Sequence, residues 1–207
     1  MFGLTKQELV VLKKLTTPIK IQNYIDSVPL NYEKNGETYM SVHRVIRENK
    51  MHCFEGAIFA AAALWVGGHK PLLLDLKSVD GDDHVVALYK ENGYWGAISK
   101  TNHVVLRFRD PVYRTIRELV LSYFHEYTNY QITKKTLRSY SRPFDLSKKG
   151  TVWITAEEEL DELVEELDQS RHYPIIPMKN IRLIRQPGKM EKRTENLIEW
   201  SKNDSRT

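Results

Sequence analysis

Apolar positions recur every three or four residues in the first third of the chain and every second residue in the middle, so helices are expected first and strands after them. Thr5-Lys6-Gln7-Glu8 has the pattern of a capping box, in which the threonine hydroxyl and the glutamate carboxylate each satisfy an orphan backbone N–H. Thr17-Pro18 pairs an N-cap with a proline at the first helical position, and Ile21, Tyr24, Ile25 and Val28 then form one apolar face that Pro29 ends. Ser41 opens a further short helix with Val42, Val45 and Ile46 on its face. Cys53 to Val66 is small and apolar on nearly all sides, the pattern of a helix buried within a domain. It starts at or just before Cys53 and is stopped by Gly67-Gly68.

The period then shortens. Pro71 to Leu76 is a short apolar run that fits a buried strand, followed by a turn over Val79–Asp83. His84–Tyr89 and Tyr94–Ser99 flank Lys90-Glu91-Asn92-Gly93, a hairpin signal. His103 to Arg109 predicts one more strand, closed by Asp110-Pro111, and Thr115 to Tyr127 a helix with Ile116, Leu119, Val120, Tyr123 and Phe124 on one face. Thr155 with Glu158 reads as another capping box, opening an acidic helix to about Asp168 with Leu160, Leu163, Val164 and Leu167 as its stripe. The fold class is therefore α+β: N-terminal helices, with a buried central helix packed on an antiparallel sheet. Residues 1–140 form the expected core, 141–185 an extension whose acidic helix packs on it, and 186–207 a flexible basic tail from which Leu197, Ile198 and Trp200 can dock.

A chain of 207 residues suits one ordinary domain. The longest apolar stretch, Ala57 to Val66, is too short to span a bilayer, and Met1 to Lys14 lacks the continuous apolar region of a signal peptide, so a cytoplasmic protein with no membrane partner is expected. The single cysteine excludes an intrachain disulfide and a cysteine-rich zinc site. His43, His69, His103, His125 and His172 show no ligand-like spacing, so neither metal nor cofactor is expected. The net charge of +4 is spread along the chain without zinc-finger spacing, an RNA-binding aromatic signature or a Gly-rich phosphate loop, which does not call for a nucleic-acid partner. Oligomeric state is left open.

The chemistry centres on Cys53. At a helix N-terminus, orphan N–H groups and the helix dipole favour thiolate over thiol, and the same N–H groups can hold an oxyanion. The candidate base is His84, at the start of the hairpin's first strand. Pairing Lys90 with Tyr94 sets His84 opposite Lys100, and a slip of one residue sets it opposite Ser99 or Thr101. Directly opposite and diagonal residues share a face, so Ser99, Lys100, Thr101 and Asn102 are the hairpin's candidates for orienting the imidazole. Glu55 suits the first turn of a helix, His52 either lines the site or faces solvent, and Asp82 and Asp83 suit a turn.

Cys53-Phe54-Glu55-Gly56-Ala57 at the head of an Ala-rich helix, then Asp83-His84-Val85-Val86-Ala87-Leu88-Tyr89, then Gly93-Tyr94-Trp95-Gly96-Ala97-Ile98, resembles the core of the transglutaminase-like superfamily, from about Ser41 to Ile98. The resemblance implies a papain-like core and a Cys–His–Asp triad with Cys53 as nucleophile and His84 as base. Trp95 matches the family's tryptophan, and the aspartate would fall near Ser99, where this chain has serine. Papain-like proteases use asparagine in that role, so Asn102 is the substitute by chemistry and Ser99 the substitute by spacing, with Asp110 able to return in three dimensions. The implied activity is a cysteine-dependent hydrolase or acyl-transferase acting on peptide or protein amide bonds, without a cofactor. The alternative is a catalytically degenerate binding or scaffolding domain.

Overall fold

A computed structural model describes residues 2–34, 36–129, 131, 134–194 and 197–201. Four helices come first: α1 (Lys6–Lys14), α2 (Pro18–Ser27), α3 (Val42–Glu48) and α4 (Cys53–Val66). Their starts follow the local signals. Thr5 and Glu8 cap α1 reciprocally, Thr17 accepts the Lys20 N–H with Pro18 in the first turn of α2, and Ser41 accepts the Arg44 N–H at the head of α3. The next elements are β1 (Leu72–Ser78), β2 (His84–Glu91), β3 (Tyr94–Ile98), β4 (Arg109–Tyr113) and α5 (Ile116–Phe124). A two-stranded ribbon, β5 (Thr128–Asn129) and β6 (Lys134–Lys135), leads into β7 (Leu137–Ser141) and β8 (Phe144–Asp145). Short helices α6 (Val152–Thr155) and α7 (Asp161–Asp168), strand β9 (His172–Pro174) and helix α8 (Lys189–Arg193) follow, with 3₁₀ turns at Leu146–Lys149 and Met178–Leu183.

The sheet runs β4-β3-β2-β1-β7-β9, with β8 also paired to β1, and every pair in it is antiparallel. Alternation sorts its side chains onto two faces. Leu73, Val85, Ala87, Tyr89 and Ile98 join the core built with α4, while Leu74, Leu76, Val86, Leu88 and Ala97 pack with Leu119, Val120 and Tyr123 of α5. Helix α4 lies between the sheet and α1, α2 and α3, with every residue from Phe54 to Leu64 buried, which accounts for a segment apolar on all sides. The mixed helix and antiparallel-sheet class is therefore as the pattern predicts, and no helix among the described residues is long and apolar enough to cross a membrane.

Several boundaries differ from the sequence expectation. The division at 140/141 falls inside β7, which pairs with β1 on one side and β9 on the other, so the expected extension completes the sheet. Its apolar residues Leu146, Trp153, Ile154, Leu160, Leu163 and Leu167 enter the core beside α4. Thr155 ends α6 and is not an N-cap; the acidic helix starts six residues later, at Asp161. Residues 103–108 are not a strand: the regular pairing begins at Arg109, and Pro111 sits within β4, where an edge position spares the sheet a missing N–H. Part of the expected flexible tail is docked. Helix α8 reaches Lys135 through Glu191, and His103 bridges to Ile198. Residues 195–196 and 202–207 of that tail lie outside the described residues.

One close approach joins the fold to the chemistry. A Cβ placed on Gly56, in the first turn of α4, meets the Lys100 Cβ at 2.4 Å, so only glycine lets the chain beyond β3 press against the head of this helix. Gly56→Ala is expected to destabilise the protein by about 1–3 kcal/mol, the usual range for overpacking a filled core. A lower urea midpoint with an unchanged m-value is the readout; an unaltered midpoint refutes the close packing.

Candidate active site

Cys53 is the first residue of α4 and is half-buried. His52 is the N-cap: its Nδ1 accepts the Phe54 N–H at 3.2 Å, and its Nε2–H donates to the Thr38 carbonyl at 2.6 Å. Glu55 returns the cap by accepting the His52 N–H at 2.9 Å. Its carboxylate has no solvent exposure and also receives Asn31 Nδ2 at 3.2 Å, the Thr38 hydroxyl at 2.9 Å and the Met40 N–H at 3.3 Å. The loop over residues 31–40 is thereby tied to the first turn of α4. Among the described residues nothing accepts a hydrogen bond from the Cys53 N–H, an orphan donor beside the thiol.

Burial alone raises a thiol pKa, but hydrogen bonds from His52 and His84 and the charges of both rings hold Cys53 well below its ordinary value. The reverse holds for His52. Desolvation opposes its charge, yet hydrogen bonding and attraction to Cys53, then the charge of Glu55, bring its pKa up to about 9.

His84 begins β2 and is buried. The hairpin turn is two residues long, with φ of +50° at Asn92 and +87° at Gly93, which fits a type I′ turn and pairs Glu91 with Tyr94 and Lys90 with Trp95. The expected pairing of Lys90 with Tyr94 is thus off by one. Continued to the hairpin's end, the observed register sets Thr101 opposite His84 and Ser99 on the diagonal. The diagonal residue makes the contact: His84 Nε2 lies 2.7 Å from Ser99 Oγ. The serine proton goes to the Leu106 carbonyl at 2.5 Å, so the hydroxyl accepts the His84 Nε2–H and leaves Nδ1 outside that contact.

Two residues that the sequence reading missed hold this arrangement. Gln22 of α2 clamps the Ser99 main chain, accepting its N–H at 3.0 Å and donating to its carbonyl at 2.8 Å. Leu106 has a left-handed φ of +60°, costly for a branched side chain, and this turns its carbonyl back onto Ser99. Glu126 keeps it there by accepting the Leu106 N–H at 2.9 Å while pairing with Arg109 at 2.6 Å. The alternation that suggested a strand at 103–109 belongs to this folded-back loop. A glutamine on a helix face and a leucine in a loop carry no sequence signal for either role.

Asn102 does not face His84. Its Nδ2 donates to the Trp200 carbonyl at 3.0 Å and to Tyr32 Oη at 3.2 Å, while its Oδ1 accepts the Trp200 N–H at 2.8 Å. The carboxamide is consumed as a clip for the C-terminal segment and cannot also orient an imidazole. Lys100 is buried as well. Its ammonium caps the end of α2 through the Ile25 and Val28 carbonyls, and burial brings its pKa down to about 8. Asp110 lies on the edge strand β4, and Asp83 accepts the Ser78 N–H at 2.7 Å in the turn before β2.

The chain matches no family model and no curated protein. Two cavities border the loops that carry Thr38 and Leu106, and neither is lined by Cys53, His52 or His84. One of about 640 Å³ is lined by Tyr32, Glu33, Glu37, Thr38 and Glu159. One of about 350 Å³ is lined by Asp82, His103, Leu106, Glu126, Tyr127 and Thr136. The acidic residues Asp75, Asp83 and Asp168 approach one another elsewhere. Their charge is answered by the chain itself, with His172 on Asp75 at 3.0 Å and Lys77 on Asp168 at 2.6 Å. Around Cys53 the structure thus places a thiol held below its ordinary pKa, a histidine with one ring nitrogen fixed by Ser99, and an unused backbone donor.

Proposed function

We propose that the protein is a cysteine hydrolase or acyl-transferase of the papain-like, transglutaminase-like kind, acting on amide or peptide-like bonds. One observation supports this reading: His84, which together with His52 holds the Cys53 thiol well below its ordinary pKa, has its Nε2 bonded to Ser99, itself bonded to the Leu106 carbonyl. A nucleophile, a base and a group orienting the base are the parts that covalent acyl transfer needs.

The thiolate of Cys53 attacks the substrate carbonyl carbon, and the oxygen takes the negative charge while the Cys53 N–H donates to it. His84, protonated at Nδ1, delivers that proton to the departing amine as the C–N bond breaks, leaving a thioester on Cys53. Water attacks the thioester next, giving its proton to His84 Nδ1, and the acid leaves as the thiolate returns. An amine in place of water gives transfer. Ser99 accepts the Nε2–H throughout and so fixes the tautomer in which Nδ1 is the base. A hydroxyl supplies no negative charge to the imidazolium, so this relay is weaker than a carboxylate's, and that difference favours the second reading, a degenerate domain kept for binding or scaffolding.

The test is the pH dependence of Cys53 alkylation by iodoacetamide in the native chain and in His84→Ala. Reactivity persisting well below pH 8, and weakened at low pH in the variant, is the expected result. An ordinary thiol profile that ignores the substitution sinks the catalytic reading and leaves the binding one.

A further inference from the structure

The loop over residues 99–107 orients His84 through one contact, the Ser99 hydroxyl donating to the Leu106 carbonyl at 2.5 Å. That contact depends on a left-handed backbone at Leu106, which a branched side chain does not adopt without support. Glu126 supports it from beyond α5. A second support comes from the far end of the chain.

Glu199 and Trp200 span the two arms of this loop. On the first arm the Glu199 N–H donates to the Asn102 carbonyl at 2.9 Å. The Asn102 carboxamide then brackets the Trp200 main chain, accepting its N–H at 2.8 Å and donating to its carbonyl at 3.0 Å. On the second arm, one residue past Leu106, Arg107 pairs with the Glu199 carboxylate at 2.9 Å. Arg107 also ties the arms together by donating to the His103 carbonyl at 2.9 Å. The Trp200 carbonyl takes the Tyr32 hydroxyl as well, and its ring lies 5.8 Å from the buried Lys100 ammonium. Leu106 therefore sits between two stapled points. The docking is incomplete, however. Trp200 Nε1–H is buried without an acceptor among the described residues, and Leu197 and Ile198 stay exposed. An orphaned buried donor opposes docking, which leaves the segment among the parts of a fold that open locally.

We infer that the docked segment 197–201 is a positioning element for the base: it staples the loop so that the Leu106 carbonyl stays on Ser99 and Ser99 stays on His84 Nε2. Its release frees the imidazole tautomer. Glu199 and Trp200 act through the loop, by a continuous run of hydrogen bonds and one ion pair, and not by contact with substrate. The effect on the thiol rests on the Cys53–His84 reading above, whereas the hold on the His84 tautomer stands apart from it. The C-terminal segment is thereby a control point, since whatever draws it off the loop weakens the base.

The experiment uses the full chain with Trp200→Pro, which cannot donate to Asn102 Oδ1, and with Trp200→Phe, which keeps the main-chain bonds and a ring beside Lys100. Glu199→Gln, which removes only the charge facing Arg107, is a milder variant. The quantities read are amide protection at Glu199, the His84 tautomer from its imidazole nitrogen shifts, and the ratio of Cys53 alkylation by iodoacetamide near pH 6 to that near pH 9. Access to the thiol cancels in that ratio. Trp200→Pro is expected to release the Glu199 amide, mix the His84 tautomers and lower the ratio by about three- to tenfold, with Glu199→Gln between it and the native chain. Trp200→Phe is expected to keep the native behaviour in all of them. Release of the Glu199 amide with tautomer and ratio unchanged overturns the inference. Equal acceleration at both pH values, which marks the segment as a cover over the thiol, overturns it too. An ordinary thiol profile in the native chain, with a tautomer that still answers Trp200→Pro, overturns the Cys–His reading and supports the staple. An ordinary profile with an unresponsive tautomer overturns both.

Discussion

Ser99→Ala is expected to lower the reactivity of Cys53 near pH 6, and any amide turnover, by about ten- to a hundredfold while the chain still folds. The main chain at this position is held by Gln22 from both its N–H and its carbonyl, and neither bond involves the serine side chain. What the variant loses is the acceptor for the His84 Nε2–H and the donor to the Leu106 carbonyl. The imidazole can then adopt the tautomer with its proton on Nδ1, facing the thiol, in which it no longer accepts from sulfur. The missing hydrogen bond contributes about 0.5–1.5 kcal/mol, and the tautomeric freedom adds to it. Stranding the Leu106 carbonyl should also cost about 1–3 kcal/mol of stability, readable as a lower urea midpoint. Ser99→Thr keeps the hydroxyl and is expected to restore most of the reactivity. If Ser99→Ala alkylates like the native chain across the pH range, the hydroxyl does not orient His84.

The largest loss of stability is expected from Glu55→Ala, at about 3–5 kcal/mol, the range for removing one partner of a buried charged network. Burial raises the pKa of this carboxyl, while His52, Asn31 and Thr38 favour its charged form. Its removal leaves the Asn31 amide, the Thr38 hydroxyl and the Met40 and His52 N–H groups without their acceptor. Against a typical total of about 5–15 kcal/mol, such a loss takes much of the stability of the domain. Glu55→Gln keeps one acceptor oxygen and is expected to lose clearly less. Tryptophan fluorescence during urea unfolding measures both. A midpoint for Glu55→Ala within the error of the native value would mean that the 31–40 loop is not held by this residue.

Such a role for Glu55 was only half legible. Its place in the first turn of α4 is a matter of spacing, and a carboxylate is favoured there in any helix. That it would be fully buried and gather donors from residues 31, 38 and 40 depends on a loop with no periodicity of its own. His52 was legible to the same extent: its place beside Cys53 left it either lining the site or facing solvent, and the cap it forms on Phe54 requires the helix to begin where it does.

The register of the hairpin shows how near a sequence argument can come. Asn92-Gly93 is a two-residue turn signal, and read as such it pairs Glu91 with Tyr94. Counting the turn as three residues shifts every partner by one and leaves Ser99, Thr101 and Asn102 as competing neighbours of His84. Because side chains alternate between faces, a shift of one residue decides which of them the imidazole can reach. Even the correct register does not settle the outcome for Asn102, whose amide is taken by Trp200, some hundred residues away in the chain.

By itself the sequence determined the elements with strong local chemistry: capped helices α1 to α3, a buried helix beginning at Cys53, the hairpin with His84 at its head, and the α+β class. These follow from caps, period and turn residues, which act over a few positions. The tertiary structure alone decided what orients His84, because the answer joins Gln22 of α2, Ser99 beyond β3 and a left-handed Leu106 held by Glu126. It also drew residues 137–174 into the sheet and core, since β1 needs a second neighbour and α4 a further apolar cover. Local preference writes each element into the chain, whereas the partner of a buried polar group is chosen among all the donors and acceptors that packing brings within reach.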